Sequence, residues 1–251
     1  MLKVRIIPLI QLNGSSVVKT INFKNFRTVG DAISTVKIFS KRMADEMVIV
    51  DINASKTKKI NFNFLKSITK ECFMPLTLGG GVKNETDVEK LFEVGADKII
   101  LNSIYYDDKN LLKKIISKYG NQSIVFSLDV YTLNGKNKIF SNSKRGIIEP
   151  LNIEKTLDDL YKIGVGEILF NSVDHDGVMK GYNYKLIKKI SNLTNVPLIA
   201  AGGCGHAKDC LDAIKSGANA VAAGSIFYWI GESVTSIKNF LNESNINVRM
   251  L

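Results

Sequence analysis

The sequence predicts an α/β fold, a (β/α)8 barrel with an internal half-barrel duplication that takes up residues 1–251 as one domain. Eight short apolar, β-branched runs alternate with amphipathic segments from end to end, the order expected of parallel strands joined by helices. The stretch Met74-Pro75-Leu76-Thr77-Leu78-Gly79-Gly80-Gly81 returns as Val196-Pro197-Leu198-Ile199-Ala200-Ala201-Gly202-Gly203. The match runs on without a gap, for Pro75 and Pro197, Gly95 and Gly217, and Ser103 and Ser225 each stand 122 positions apart, near half the chain. Small solenoid repeats recur every few tens of residues, so this is a duplicated half. No Pro/Ser-rich linker or break in composition separates the two copies.

The first strand is expected over Val4 to Leu9, followed by a long connection from Asn13 to Gly30. Met47 to Asp51 and Leu76 to Leu78 are the second and third strands. A helix with Val88, Leu91 and Phe92 on one face ends at Gly95 and leads into the fourth strand, Lys98 to Leu101. Leu111, Leu112, Ile115 and Ile116 mark the next helix, which ends at Gly120 before Ile124 to Asp129. A second long connection, Val130 to Asn152, follows that fifth strand. Glu167 to Asn171, Leu198 to Ala201 and Ala220 to Ala223 complete the barrel, with helix ends at Gly164 and Gly217. Both long connections follow strands, the first and the fifth. They therefore belong on the C-terminal rim, where barrel enzymes keep their chemistry and where long loops commonly act as lids.

With 251 residues and 45% hydrophobic content the chain can bury a large core. The longest apolar runs are far too short to span a membrane, and Arg5 interrupts the only N-terminal apolar run, so a soluble cytoplasmic protein is expected. Cys72, Cys204 and Cys210 have neither the number nor the spacing of a disulfide framework or zinc site and read as ordinary buried or partly buried thiols. His175 and His206 lack metal-type partners, and surface or helix-start roles suit them; no metal or cofactor is expected. The net charge of +10 comes from lysines scattered along helices with no aromatic-interleaved basic segment. This argues against nucleic acid and leaves anionic small molecules as possible partners.

Glycine pairs at strand ends let backbone N–H groups approach an anion, and Gly80-Gly81 and Gly202-Gly203 are such pairs. Asn102-Ser103 and Gly224-Ser225 on the following strands would complete the cradles, which predicts two phosphates on opposite sides of the barrel mouth. Taken singly, each pair could be no more than a tight turn. Asp51, Asp129, Asp174 and Asp176 lie at or just beyond strand ends and are candidate acids or bases, with a loop cap as the alternative for Asp51 and Asp174. Gln11 occupies the first-half counterpart of Asp129, and an amide cannot exchange a proton as a carboxylic acid does. Arg5, Glu46, Lys98 and Glu167 sit at or just before the opposite ends of four strands. Two cations and two anions could close a ring of salt bridges or stay as four solvated charges.

Together Arg5-Ile6-Ile7-Pro8, Val17-Val18-Lys19, Val29-Gly30-Asp31, Asp45-Glu46, Gly79-Gly80-Gly81, Gly95-Ala96-Asp97-Lys98, Gly166-Glu167-Ile168-Leu169, Asp174-His175-Asp176-Gly177 and Gly202-Gly203 form one pattern. The chain resembles, over essentially its whole length to Asn247-Val248-Arg249, the cyclase subunit of imidazole glycerol phosphate synthase (the HisF family). The resemblance implies a (β/α)8 TIM barrel and a HisH-like glutaminase partner on the N-terminal face. It also implies ammonia passing up the barrel to a bisphosphate substrate. It assigns Arg5, Glu46, Lys98 and Glu167 to an ammonia gate, and phosphate binding to Gly81, Asn102 and Ser103 on one side and Asp176, Gly177, Gly203, Gly224 and Ser225 on the other. It matches Lys19 to a catalytic lysine on a mobile first loop that covers substrate.

The family uses two aspartates for ring closure and cleavage; here Asp129 matches one and Gln11 stands at the other. Asn13-Gly14-Ser15-Ser16 also departs from the charged sequence usual nearby. Relatives with an altered first-strand acid resemble subunits from surface-polysaccharide and flagellar-glycan genes, where ammonia is thought to reach a third protein that forms an amidine on a sugar. Val18-Lys19-Thr20-Ile21-Asn22-Phe23-Lys24, Glu71-Cys72-Phe73-Met74-Pro75 and Asn171-Ser172-Val173-Asp174 look like that branch. The alternatives are a genuine histidine-pathway subunit, making imidazole glycerol phosphate and AICAR from PRFAR, and a phosphosugar isomerase of the sister half-barrel family. The isomerase would have no reason to keep the gate residues together.

Overall fold

A computed structural model describes residues 3–42, 44–141, 146–150 and 152–250, of which residues 146–150 are described by their backbone alone. Its strands are β1 (Arg5–Asn13), β2 (Ser16–Thr20), β3 (Phe26–Asp31), β4 (Met47–Asp51), β5 (Leu76–Gly79), β6 (Lys98–Leu101), β7 (Ile124–Leu133), β8 (Lys136–Ser141), β9 (Gly146–Pro150), β10 (Glu167–Ser172), β11 (Leu198–Ala201) and β12 (Ala220–Ala223). Eight of them, in the order β10-β11-β12-β1-β4-β5-β6-β7, pair in parallel, and the β10–β7 pairing closes the barrel. All eight expected strands are present.

Helices α1 (Ala32–Lys41), α2 (Ile52–Thr57), α3 (Phe62–Thr69), α4 (Glu85–Glu93), α5 (Ser103–Asp107), α6 (Lys109–Tyr119), α7 (Ile153–Ile163), α8 (Tyr184–Leu193), α9 (Ala207–Lys215), α10 (Ile226–Trp229) and α11 (Val234–Glu243) fill the connections. Of these, α2, α5 and α10 are short turns directly after β4, β6 and β12. The others turn one apolar face to the barrel: Val88 and Leu91 of α4 and Leu112, Ile115 and Ile116 of α6 are buried.

Because side chains alternate along a strand, each barrel strand divides its residues between two cores. Ile6, Ile49, Leu78, Ile99, Phe126 and Phe170 face outward into the layer beneath the helices. Ile7, Leu9, Val48, Ile100, Val125, Leu169, Ile199, Ala201, Ala220 and Ala222 face inward and fill a separate apolar throat.

The two long connections, expected as long loops after the first and fifth strands, contain paired strands. Residues 11–31 carry an antiparallel extension: the end of β1, still paired in parallel with β4 as far as Leu12, also pairs with β2, which pairs with β3. Likewise β7 runs on to Leu133 and pairs with β8, which pairs with β9. The cause is legible locally. Asn134 (φ 50°) and Gly135 (φ 72°) are the central residues of the β7–β8 hairpin, and Gly14 (φ 64°) opens the β1–β2 turn. Left-handed residues at two-residue turns match the twist of paired strands. Asn13-Gly14 and Asn134-Gly135 were the available signal. Residues 142–145 and 151 of the second connection lie outside the described residues.

Candidate active site

At the N-terminal floor of the barrel, the first inward layer is charged. Arg5 Nη1 and Lys98 Nζ both reach Glu46 Oε1 at 2.8 Å, while Arg5 Nη2 reaches Glu167 Oε1 at 2.7 Å and Lys98 Nζ reaches Glu167 Oε2 at 3.1 Å. The four side chains alternate in sign around a closed ring and are mostly sheltered from solvent. The alternative of four separate solvated charges is therefore excluded. Counting inward positions by twos from this floor passes Ile7 and Leu9 to Gln11, Ile100 to Asn102, and Leu169 to Asn171. The barrel interior thus reads charge, then hydrocarbon, then amides.

The upper layer surrounds Asp129, which is 7% exposed. Ser127 Oγ donates to its Oδ1 at 2.7 Å, and Asn102 Nδ2 lies 3.4 Å from Oδ2 while donating to the Ser127 carbonyl at 2.8 Å. Burial pushes the Asp129 carboxyl up to about 7; the Ser127 hydrogen bond opposes this and nearby Asp176 adds to it. A group poised there can hold or release a proton near neutral pH. Leu9, Gln11, Thr20, Val50, Ile100, Ser127, Leu169 and Asn171 share the pocket above the throat with Asp129.

Gln11 Nε2 lies 3.3 Å from Thr20 Oγ1, which itself donates to Asp176 Oδ2 at 2.6 Å. Burial raises the Asp176 carboxyl, against the Thr20 hydrogen bond and Lys19. Lys19 departs from the expected mobile loop in this structure: it lies in β2, a regular strand, with its side chain 6% exposed. Its Nζ donates to the Leu9 carbonyl at 2.7 Å and sits so close to Gly224 that a Cβ there would come within 2.2 Å. Burial draws the Lys19 ammonium down to about 8, with Asp176 pulling the other way.

The duplicated glycine loops make two cradles. One is lined by Gly80, Gly81, Asn102, Ser103, Ser55 and Lys58, the other by Lys19, Asp176, Gly177, Gly203, Gly224 and Ser225. Their glycines are required twice over. Gly81 (φ 80°) leaves no space for a Cβ, which would fall 2.6 Å from the Ala54 carbonyl oxygen, and at Gly203 (φ 112°) one would fall 2.2 Å from that of Gly181. The backbone of each loop is thus pressed against its neighbour, and only glycine fits there.

Other candidates resolve into structural parts. Asp51 Oδ1 accepts the Ala54 N–H at 2.9 Å as the cap of α2, and Asp174 Oδ1 accepts the Thr132 N–H at 3.2 Å, tying β7 to the loop after β10. His206 stands at the start of α9 and His175 Nδ1 contacts the Gly181 carbonyl at 2.8 Å. Cys204 and Cys210 are buried and Cys72 partly so. Among the described residues no group of three or more His, Cys, Asp or Glu side chains could hold a metal ion, and no helix is long and apolar enough to cross a membrane. Thr20, Ser127 and Asn171 were missed from sequence. Counting by twos back from Asp129 would have found Ser127, and forward from Glu167 would have found Asn171.

The fold and this layout define a duplicated (β/α)8 barrel with a charged floor, an apolar throat and two glycine-walled cradles at its mouth. The chain belongs to the histidine biosynthesis protein family, which matches residues 5–230. Within it, the chain is similar to imidazole glycerol phosphate synthase subunits. The HisF subunit of Dictyoglomus thermophilum is 38% identical over 100% of both chains. A Campylobacter jejuni protein provisionally named as the hisF2 subunit of the same synthase is 40% identical over 100% of both chains. A second hisF2, also provisionally named, from Pseudomonas aeruginosa, is 35% identical over 99% of this chain and 100% of its own.

Proposed function

We propose that this chain is the barrel subunit of a glutamine amidotransferase complex. It receives ammonia at its N-terminal floor from a HisH-like glutaminase subunit and delivers it through the throat to the mouth. The observation that carries the reading is the closed Arg5–Glu46–Lys98–Glu167 ring directly below an apolar throat. A hydrocarbon-lined passage suits neutral ammonia and resists ions. The ring is a polar closure that a docked partner could open. The same arrangement gives no support to a phosphosugar isomerase, which uses no ammonia.

The acceptor is proposed to differ from that of the histidine pathway. Gln11 stands where the resemblance puts a second catalytic acid, so a reaction needing a carboxyl at that position as well as Asp129 loses one of the pair. An ammonia supply to a third, sugar-amidating protein, forming an acetamidino sugar of a surface or flagellar glycan, needs the passage but not that pair. Asp129, held near 7, together with the two cradles, favours a second reading: a working cyclase that binds a bisphosphate and retains slow turnover.

The test is co-expression with the candidate glutaminase. Glutamine hydrolysis that depends on the barrel chain, with 15N from the glutamine amide incorporated into a sugar product, is the expected result. Failure of the two chains to associate overturns the proposal. Turnover of the histidine-pathway bisphosphate at the rate of an ordinary family member would move the assignment to the second reading.

A further inference from the structure

We infer that Tyr228 is a positioning residue for Lys19: its ring face, together with the Leu9 carbonyl, holds the buried ammonium in the second cradle. This rests on the reading of that cradle as a phosphate site. Lys19 Nζ lies over the Tyr228 ring, 5.5 Å from its centroid, while donating to the Leu9 carbonyl at 2.7 Å. That bond takes one of the three donors of an ammonium group, which leaves donors for an anion in the cradle. Tyr228 lies on α10, the short turn that follows Gly224 and Ser225, so one segment supplies both cradle residues and the ring.

The ring, and not the hydroxyl, is what the fold uses. Tyr228 Oη is buried with no hydrogen-bond partner, Thr35 being its polar neighbour. Tyr106, 122 positions earlier in the duplicated half, has the same buried, unpartnered Oη, and its ring packs against Tyr105 and Phe126. Of the two, among the described residues, Tyr228 alone faces a lysine. An aromatic face attracts a cation most strongly where water is excluded, and Lys19 is 6% exposed. The ring also differs in kind from the other group that favours the charge. Asp176 is the acid that supports the Lys19 ammonium, but burial raises its carboxyl, so its support fades as it takes up a proton. Arg27, opposite Lys19 on β3, is exposed, and Cys204 is the remaining titratable residue lining the cradle. The attraction of the ring does not titrate over this range, since burial pushes the Tyr228 hydroxyl up to about 12.

The test uses the full-length chain with isotope-labelled lysines and reads the titration of the Lys19 side chain by NMR, with Lys19→Met to assign its signal. Tyr228→Phe should titrate as the parent does, at about 8. Tyr228→Leu should titrate about one unit lower, the scale of a desolvated contact between a cation and an aromatic face. Inorganic phosphate at pH 7.5 should displace the Lys19 signal in the parent, with a half-saturating concentration about threefold higher in Tyr228→Leu, where less of the ammonium remains. Tyr228→Phe with its ring progressively fluorinated keeps size and packing while draining the aromatic face, so the Lys19 titration should move down step by step. An unchanged titration across the fluorinated series, or a fall in Tyr228→Phe as large as in Tyr228→Leu, overturns the assignment. A fluorination response in a chain whose Lys19 signal phosphate does not move keeps the positioning role and removes the phosphate reading of the cradle. Phosphate displacement with no fluorination response keeps the cradle and removes the role.

Discussion

Thr20 donates its hydroxyl proton to Asp176 at 2.6 Å, joining the first half of the barrel to the second across 156 positions of chain. The contact fixes Thr20 as an acceptor toward Gln11, so the altered residue of the mouth is wired to an acid of the second cradle. A carboxylate at position 11 would stand between two pockets, one lined by Asp129 and the other by Asp176, both acids raised by burial.

Gln11→Asp is expected to raise turnover of the histidine-pathway bisphosphate with ammonia as nitrogen source by about 10²-fold, the usual scale of a general acid or base. Steady-state assays of both proteins at saturating ammonia check this. No gain would show that the β1–β3 extension, and not the missing carboxylate, has moved the function.

Replacing Arg5 by Met leaves Glu46 and Glu167 sharing Lys98 alone. Removing one partner of a buried ion pair costs roughly 3–5 kcal/mol, and the partial exposure of the ring reduces this to about 1–3 kcal/mol. Urea unfolding should show that loss, and the double variant Arg5→Met with Glu167→Gln should regain part of it by removing the uncompensated charge. Equal stability of the single variant and the parent would contradict a closed ring in solution.

Stability should pass through a minimum between pH 7 and 8. The folded state holds the Asp129 proton up to about pH 7, whereas the unfolded chain releases it near 3.8. Between those values the folded state binds more protons, so stability falls as pH rises, by about 4 kcal/mol in all. Lys19 acts in the opposite sense. The unfolded chain keeps its proton to 10.5 and the folded state loses it at about 8, so stability recovers by about 3 kcal/mol over that range. Denaturation midpoints across pH should lose much of the falling limb in Asp129→Asn, the rest belonging to Asp176, and should lose the rising limb in Lys19→Met. A limb that survives its variant unchanged has another origin.

Gly224→Ala should displace the Lys19 ammonium from the second cradle, since the new methyl would fall 2.2 Å from Nζ at the end of a flexible side chain. The fold should survive with a small loss of stability, while affinity for inorganic phosphate at that cradle drops at least tenfold. Phosphate titrations of parent and variant, with Gly81→Ala disabling the first cradle in both, separate the two sites. Unchanged affinity would mean that Lys19 does not serve the second cradle.

Much of this was written in the chain. The 122-residue offset determined the duplicated barrel, and the period of two along each strand set which residues face inward, because both are read from the order of residues alone. The glycine loops were legible for the same reason: only glycine fits where Gly81 and Gly203 press on neighbouring carbonyls. Sequence left open whether Arg5, Glu46, Lys98 and Glu167 were a ring or four separate charges. Residues up to 162 positions apart meet only when the sheet closes through β10 and β7, and the resulting burial makes pairing obligatory. The place of Lys19 was likewise a tertiary decision. Its partners, Leu9, Asp176 and Gly224, come from three different strands or their loops, and packing against them drew a lysine of the first connection into the second cradle.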